Sequence, residues 1–193
     1  MSNPSLENMR ELINEWAHLD YILPEDIPYI ELYMDQVTTF MDKQLINNKR
    51  NEEDKILTKT MINNYTKNNL LPPPDKKKYS RDHIILLIYI YYLKNFISIS
   101  DIQDLLTPMI ENYFESDKNS SLNLTDIYKT IFDLEKSHRT DITKSIYDSK
   151  LLAESQFKEA DNKYLHDLAF ILIMSYDIYL KKQIIEKMID NLK

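Results

Sequence analysis

Apolar residues recur at helical spacing along most of this 193-residue chain. The i, i+3, i+4 pattern is followed behind Asp35 by four of them: Val37, Phe40, Met41 and Leu45. Ser80 and Ser98 stand at N-cap positions before two further apolar runs, and Thr125 opens another. The last and longest pattern begins near Asp161. Because no run alternates strictly between apolar and polar residues, the pattern predicts an all-α fold.

The run from Ile84 to Phe96 is apolar on nearly all sides. A helix of this kind is normally buried, so we expect it at the centre of the core. Its tyrosines Tyr89, Tyr91 and Tyr92 are an alternative platform for stacked bases, although such platforms usually lie on sheets.

Composition narrows the possible chemistry. The chain has no glycine, which removes the dinucleotide fingerprint, the Walker phosphate loop and the nucleophile elbow. It has no cysteine either, which removes thiol nucleophiles, disulfides and zinc fingers. Glu135 and His138 form only one half of a di-iron motif. We therefore expect a binding protein, not an enzyme, without metal or cofactor.

The N-terminal residues and the apolar runs do not have the pattern of a signal peptide or of a membrane-spanning helix. The first residues carry acids where a signal peptide would be basic. The two most apolar stretches, Ile84 to Leu93 and Leu168 to Met174, are much shorter than the about 20 residues that span a bilayer. We expect a cytoplasmic protein with no membrane contact.

Charge is distributed unevenly along the chain. The formal net charge is −7, but residues 55–94 hold 8 basic and 2 acidic residues, a net charge of +6. The segment before it has a net charge of −8 and the segment after it one of −5. One basic segment therefore lies inside an acidic protein, and it is the part suited to nucleic acid.

The segment Thr58 to Leu71 predicts a short helix with one polar face and no acid. Five residues fall within an arc of roughly 140° on that face: Lys59, Thr60, Asn63, Asn64 and Lys67. Met61, Ile62 and Tyr65 occupy the opposite, core side. Asparagine can read adenine in the major groove, and lysine neutralises phosphate or reaches guanine. Surface amides with no ligand are the alternative interpretation of Asn63 and Asn64.

A stiff arm and a basic tip follow this helix. Three prolines, Pro72 to Pro74, precede the tip at residues 75–79, with Arg81 just beyond. The tip contributes four candidate contacts with nucleic acid: Lys76, Lys77, Lys78 and Tyr79. A solvated loop is the alternative interpretation of the three lysines.

The region resembles the MerR-type winged helix-turn-helix when aligned on Leu70, Leu71 and Pro72. Tyr65 then occupies an aromatic position of the family, and Asn69 replaces its glycine. Asn63 and Asn64 stand where that family carries its Arg and first aromatic residue, and the wing is short. The resemblance implies a recognition helix over residues 58–68 and a basic wing over residues 75–79.

A closer resemblance is to a bacterial family of unknown function, domain of unknown function 1836. Three stretches carry it: IELYMDQVTTFM, ILTKTMINNYTKNNLLPPPDKKKYSRDHI and LKNFISISDI. They extend over roughly Pro24 to Leu106. This resemblance implies a helix-turn-helix whose first helix is Met34 to Leu45, without implying a target.

Together these observations predict two domains. Because Pro108 should kink or restart its helix, we place a boundary there. Residues 1–107 would contain the helix-turn-helix, with a core at about 32–107, and residues 108–193 a C-terminal helical bundle. Ile178, Ile185, Ile189 and Leu192 form a loose heptad stripe that predicts a homodimer. The core of an intrachain bundle is the alternative interpretation of this stripe.

The predicted function is that of a transcriptional regulator that binds double-stranded DNA, with recognition helix 58–68 in the major groove. No pattern identifies a small-molecule effector. The alternative is an all-α protein-protein interaction module that has lost DNA binding, which the missing Arg–Tyr pair favours.

Overall fold

The computed structural model describes residues 22–116, 122–156 and 163–192. Those residues form six α-helices: α1 (Met34–Gln44), α2 (Lys59–Lys67), α3 (Arg81–Leu93), α4 (Ile99–Tyr113), α5 (Leu124–Gln156) and α6 (Lys163–Asp190). They also form two short strands, β1 (Leu32–Tyr33) and β2 (Lys78–Tyr79). The all-α prediction is confirmed. The strand pair was not predicted, because two residues are too few to show alternation.

The contacts divide the chain into two compact units. One comprises His18–Asp133, and the other is built around Leu134–Asn191. Helix α5 contributes residues to both units. Pro108 lies inside α4, which continues to Tyr113 instead of restarting there. The domain boundary after Thr107 stays a prediction, whereas the observed division of contacts falls between Asp133 and Leu134.

Helix α3 forms the centre of the His18–Asp133 unit. It is buried from His83 to Ile88 and again at Ile90 and Tyr91, as its all-round apolar sequence predicts. Strand β2 contacts this helix, and the rings of His83 and Tyr89 on it contact Phe114 and Tyr128 of the elements that follow. The tyrosines Tyr89 and Tyr92 are half-buried, so they present no exposed stacking platform.

The helix starts follow the capping residues of the sequence. Ser98 Oγ accepts from the backbone N–H of Asp101 at 3.1 Å, and the Asp101 carboxylate accepts from the N–H of Ser98 at 3.3 Å. This capping box is the one the sequence predicts. At α5 the cap is Asn123, whose Oδ1 accepts from the N–H of Asp126 at 3.0 Å, so Thr125 is not the opening residue.

A buried lysine joins the two helices of the Leu134–Asn191 unit. Lys150 of α5 is 2% exposed, and its Nζ lies 2.9 Å from Asp167 of α6 and 3.6 Å from Glu154. A buried ammonium needs such partners, because burying a charge alone is costly.

None of the helices in the described part of the chain combines the length and apolar character that crossing a membrane requires.

Candidate nucleic-acid interface

Helix α2 is held by a side-chain cap and a two-residue anchor. Thr58 Oγ1 accepts from the N–H of Met61 at 3.1 Å, which satisfies a backbone donor that the first turn would leave unpaired. Ile62 and Tyr65 are buried one turn apart. Helix α1 packs against α2, so the two are consecutive helices in contact, joined by residues 45–58.

The polar face of α2 points to solvent. All five residues predicted on it are exposed: Lys59, Thr60, Asn63, Asn64 and Lys67. The predicted division between a core side and a polar side is therefore confirmed. The helix itself contains no acid, and the one carboxylate paired with its polar face is that of Asp35 in α1, which contacts Lys59.

A left-handed residue ends α2 and turns the chain. Asn69 has φ 56°, and the carbonyl of Tyr65 accepts from the N–H of Leu70 at 2.9 Å and of Leu71 at 3.2 Å. Asparagine tolerates this backbone better than other non-glycine residues. Asn69 thus adopts the left-handed backbone for which glycine is usually used, as the alignment predicts, and the turn places Leu70 and Leu71 in the core.

The basic wing, residues 75–79, contains a tight two-residue turn. Lys76 and Lys77 have φ 46° and 65°, and the N–H of Lys78 donates to the carbonyl of Asp75 at 2.7 Å. Two consecutive left-handed residues define a type I′ hairpin turn, for which Asn-Gly is the preferred sequence. Two exposed lysines occupy it here, at a conformational cost of about 1 kcal/mol or more each. Strain of this kind concentrates at functional sites.

The end of the wing is fixed to the strand before α1. Strand β2 pairs antiparallel with β1, so that Tyr79 lies opposite Leu32 and Lys78 opposite Tyr33. Tyr79 is 3% exposed, and burial raises the pKa of its phenol. Its ring lies in the core, 5.5 Å from the ring of His83. Tyr79 therefore anchors the wing and is not placed to touch a ligand.

Arg81 is also occupied within the fold. Its guanidinium donates to the carbonyls of Ile27 and Pro24, the second at 2.7 Å, and to Thr125 Oγ1 at 3.1 Å. It also stacks on Tyr29, 4.0 Å from the ring centroid. We therefore leave Tyr79 and Arg81 out of the candidate interface. Tyr79 is buried in the core, and the guanidinium of Arg81 is already engaged by four contacts within the fold.

Two lysines of the region have acidic partners that sequence reasoning missed. Lys59 forms an exposed ion pair with Asp35, at the start of α1, and Lys78 lies 3.6 Å from Glu31. Exposed pairs of this kind are worth about 0–1 kcal/mol, so phosphate can compete for the lysines. No ion pair joins Lys67, Lys76 or Lys77 to any other described residue.

A buried histidine lies between the wing and α3. The N–H of Ser80 donates to Nδ1 of His83 at 3.0 Å, at the start of α3. Burial lowers the pKa of His83, against the smaller opposing effect of the Glu115 carboxylate. The neutral ring therefore serves as the helix cap, immediately after the wing.

No metal site is formed by the described residues, in which no three His, Asp or Glu side chains cluster. In the Glu135 and His138 pair, which is half of a di-iron motif, His138 lies on the surface of α5. Its Nδ1 is 3.4 Å from the Asp141 carboxylate.

A sequence model of one protein family, described as a domain of unknown function (DUF1836), matches residues 22–131. The matched range lies within the compact unit His18–Asp133 and contains α1 to α4 with the wing. No curated protein and no solved structure matches the chain.

Proposed function

The chain belongs to the DUF1836 family, and we propose that its domain binds double-stranded DNA as a transcriptional regulator. The polar face of α2 enters the major groove in this proposal, and the wing lysines contact the phosphate backbone beside it. In this proposal the domain acts as a MerR-like winged helix-turn-helix with a short wing.

The observation that carries the proposal is the exposed polar face of α2, a helix that contains no acid of its own. Its two asparagines, Asn63 and Asn64, present amides that can form paired hydrogen bonds with the edge of adenine. Lys67 follows one turn later and forms no ion pair with any described residue. Base-reading amides flanked by phosphate-binding amines are the mixture that groove recognition needs.

The wing adds an independent argument. A turn built from Asn-Gly would be more stable than one built from Lys76 and Lys77. The strained turn projects two ammonium groups from a hairpin whose base is fixed by the β1–β2 pair. A fixed base limits the entropy that these lysines lose on meeting a phosphate.

The charge distribution supports the same surface. The basic segment carries +6 inside a chain of −7, so the remainder of the protein is repelled by DNA and only this segment is attracted. Since dimeric helix-turn-helix proteins read two half-sites, the proposal includes a homodimer.

Selection from a random DNA library at low salt, followed by affinity measurements on the selected sequence, tests the proposal. We expect Asn63→Ala to weaken discrimination at one base pair by about 1–3 kcal/mol. Lys67→Ala should lower the slope of log affinity against log salt by about 0.9. Lys129→Ala removes an exposed lysine of α5 and should change neither quantity. Failure to enrich any sequence, or equal losses for Lys67→Ala and Lys129→Ala, would contradict it.

A protein-protein interaction module is the second candidate, and one observation favours it. An open apolar groove of about 400 Å³ lies along α1, lined by Pro28, Leu32, Thr39 and Phe40 among others. Tyr29, Ile30 and Tyr33 are exposed in the same segment. If no DNA sequence is enriched, and Phe40→Glu abolishes binding of a protein partner, this candidate replaces the first.

A further inference from the structure

The uncharged residues of the α2 polar face lie in the first two turns of the helix. Thr60, Asn63 and Asn64 are exposed there, and α2 ends at Lys67. In helix-turn-helix proteins the N-terminal residues of the recognition helix contact base edges. The chemistry of these three side chains therefore decides which base pairs α2 can recognise.

Both asparagines favour adenine over guanine. The amide of asparagine carries a donor and an acceptor side by side, and these match N7 and the N6 amino group of adenine. Guanine presents two acceptors at the same positions, N7 and O6, so the amide oxygen would face an acceptor there. Asn63 and Asn64 are exposed at consecutive positions, so each base edge that they reach is selected for adenine.

Thr60 can contact the other base of an A·T pair. It is the second residue of α2 and lies one turn before Asn63 and Asn64. Thymine is the one base with a methyl group in the major groove, and the methyl group of threonine packs against it. Cytosine offers no such apolar contact, because it presents an amino donor. Thr60 therefore favours the same class of base pair as the two asparagines.

The side chain that most often reads guanine does not occur on this surface. That side chain is arginine, and residues 58–80 contain none. Arg81, just beyond, is held by contacts within the fold. The lysines of α2 stand at its two ends, where Lys59 is paired with Asp35 of α1 and Lys67 is the last residue. These amines flank the base-reading side chains, which suits contact with phosphate.

We infer that the DNA sites of this protein carry A·T pairs where α2 enters the major groove. Asn63 and Asn64 read the adenines, and Thr60 reads the methyl group of a thymine. This assignment rests on the proposed function for the binding of DNA itself. It adds the class of base pair and a specificity-determining role for Thr60, and both depend on hydrogen-bonding groups and a methyl group, not on charge.

Duplexes with single altered bases test the inference. The pairs that α2 reads are first located in the selected DNA site, as those at which Asn63→Ala, Asn64→Ala or Thr60→Ser loses discrimination. Adenine is then replaced there by 7-deazaadenine, which lacks N7, or thymine by uracil, which lacks the methyl group. Both replacements preserve base pairing. We expect 7-deazaadenine to weaken binding by about 2- to 12-fold, the effect of one hydrogen bond, and uracil by about fourfold.

Each loss should disappear in the matching variant. Thr60→Ser, which removes only a methyl group, should bind the thymine and uracil duplexes equally, and an asparagine variant should not distinguish adenine from 7-deazaadenine. Thr130→Ser makes the same change at an exposed position of α5 and should behave like the wild type.

G·C pairs at the positions that α2 reads would overturn the inference and leave the regulator in place. The same holds for an A·T site whose affinity ignores both replacements, since shape would then carry the preference. A Thr60→Ser protein that still distinguishes thymine from uracil would overturn the role of Thr60. A library in which no sequence is enriched would overturn the regulator, and the inference with it.

Discussion

The ammonium of Lys78 lies 3.6 Å from the carboxylate of Glu31, so the basic wing already has an anionic neighbour before any ligand arrives. The pair is half-exposed on both sides, which limits its contribution to stability. A phosphate that binds Lys78 must replace Glu31 or share the amine with it. The acidic segment before α1 should therefore weaken the proposed binding of phosphate by the wing.

Replacing Glu31 should increase the affinity for DNA. We expect Glu31→Gln to tighten binding by about 1.5- to 5-fold, because an exposed ion pair is worth about 0.2–1 kcal/mol. Fluorescence anisotropy at one fixed salt concentration measures the change. Glu25→Gln removes an exposed acid of the same segment and is the control for net charge alone. Equal gains in the two variants would show that the contact of Glu31 with Lys78 has no role.

Replacing the two lysines of the wing turn should increase the stability of the fold and weaken DNA binding. Lys76→Asn/Lys77→Gly supplies the preferred type I′ sequence, so we expect the free energy of unfolding to rise by about 1 kcal/mol. The same change removes two phosphate contacts and should lower the salt slope of DNA binding by about 1.8. Urea unfolding and anisotropy measure the two effects. A stabilised variant that binds DNA like its parent would exclude the wing from the interface.

Arg81 should matter for folding and not for DNA. Lysine keeps the charge but cannot reach Pro24, Ile27 and Thr125 together or stack on Tyr29. We expect Arg81→Lys to cost about 2–3 kcal/mol of stability, since hydrogen bonds from charged donors contribute about 1.5–3 kcal/mol.

The salt slope of DNA binding should stay unchanged in Arg81→Lys. Arg50→Lys, at an exposed position, should leave both stability and slope as they are. A reduced slope in Arg81→Lys at full stability would return Arg81 to the interface.

Local patterns predicted those features whose causes are local. The polar face of α2 and the buried α3 follow from spacing within one helix, and Asn69 follows from the backbone that its turn requires. The roles of Arg81 and Lys78 were not predictable in this way. The partners of Arg81 lie 44 to 57 residues away along the chain, and no periodicity carries such contacts.

The apolar residues of α6 show a second limit of the sequence. Their heptad spacing is readable, but the same spacing describes both an intrachain core and a surface that pairs two copies. Exposure distinguishes them, because Ile189 is buried within its own chain whereas Ile171 and Ile178 are not. That information depends on where the remainder of the chain lies.

His83 should make the stability of the fold sensitive to acid. Its Nδ1 must be unprotonated to accept from the N–H of Ser80, and burial lowers its pKa below the value of about 6.5 that holds in the unfolded chain. The full contribution of the neutral ring is therefore present above pH 6.5. It is lost as the pH falls toward the lower pKa of the folded state, by up to about 1.36 kcal/mol per pH unit.

The acids near the ring do not change this sign between pH 7.5 and 5.5. The Glu115 carboxylate, and less strongly that of Asp82, favour the protonated ring, but burial is the larger effect. Burial also raises the pKa of Asp82, and its protonation in the folded state would offset part of the loss.

Glutamine at position 83 retains a helix-capping acceptor but does not titrate. We expect His83→Gln to lose less free energy of unfolding than the wild type when the pH falls from 7.5 to 5.5, as measured by urea unfolding. His138→Gln removes an exposed histidine and should lose as much as the wild type. If all three proteins lose the same amount, protonation of His83 is not the cause.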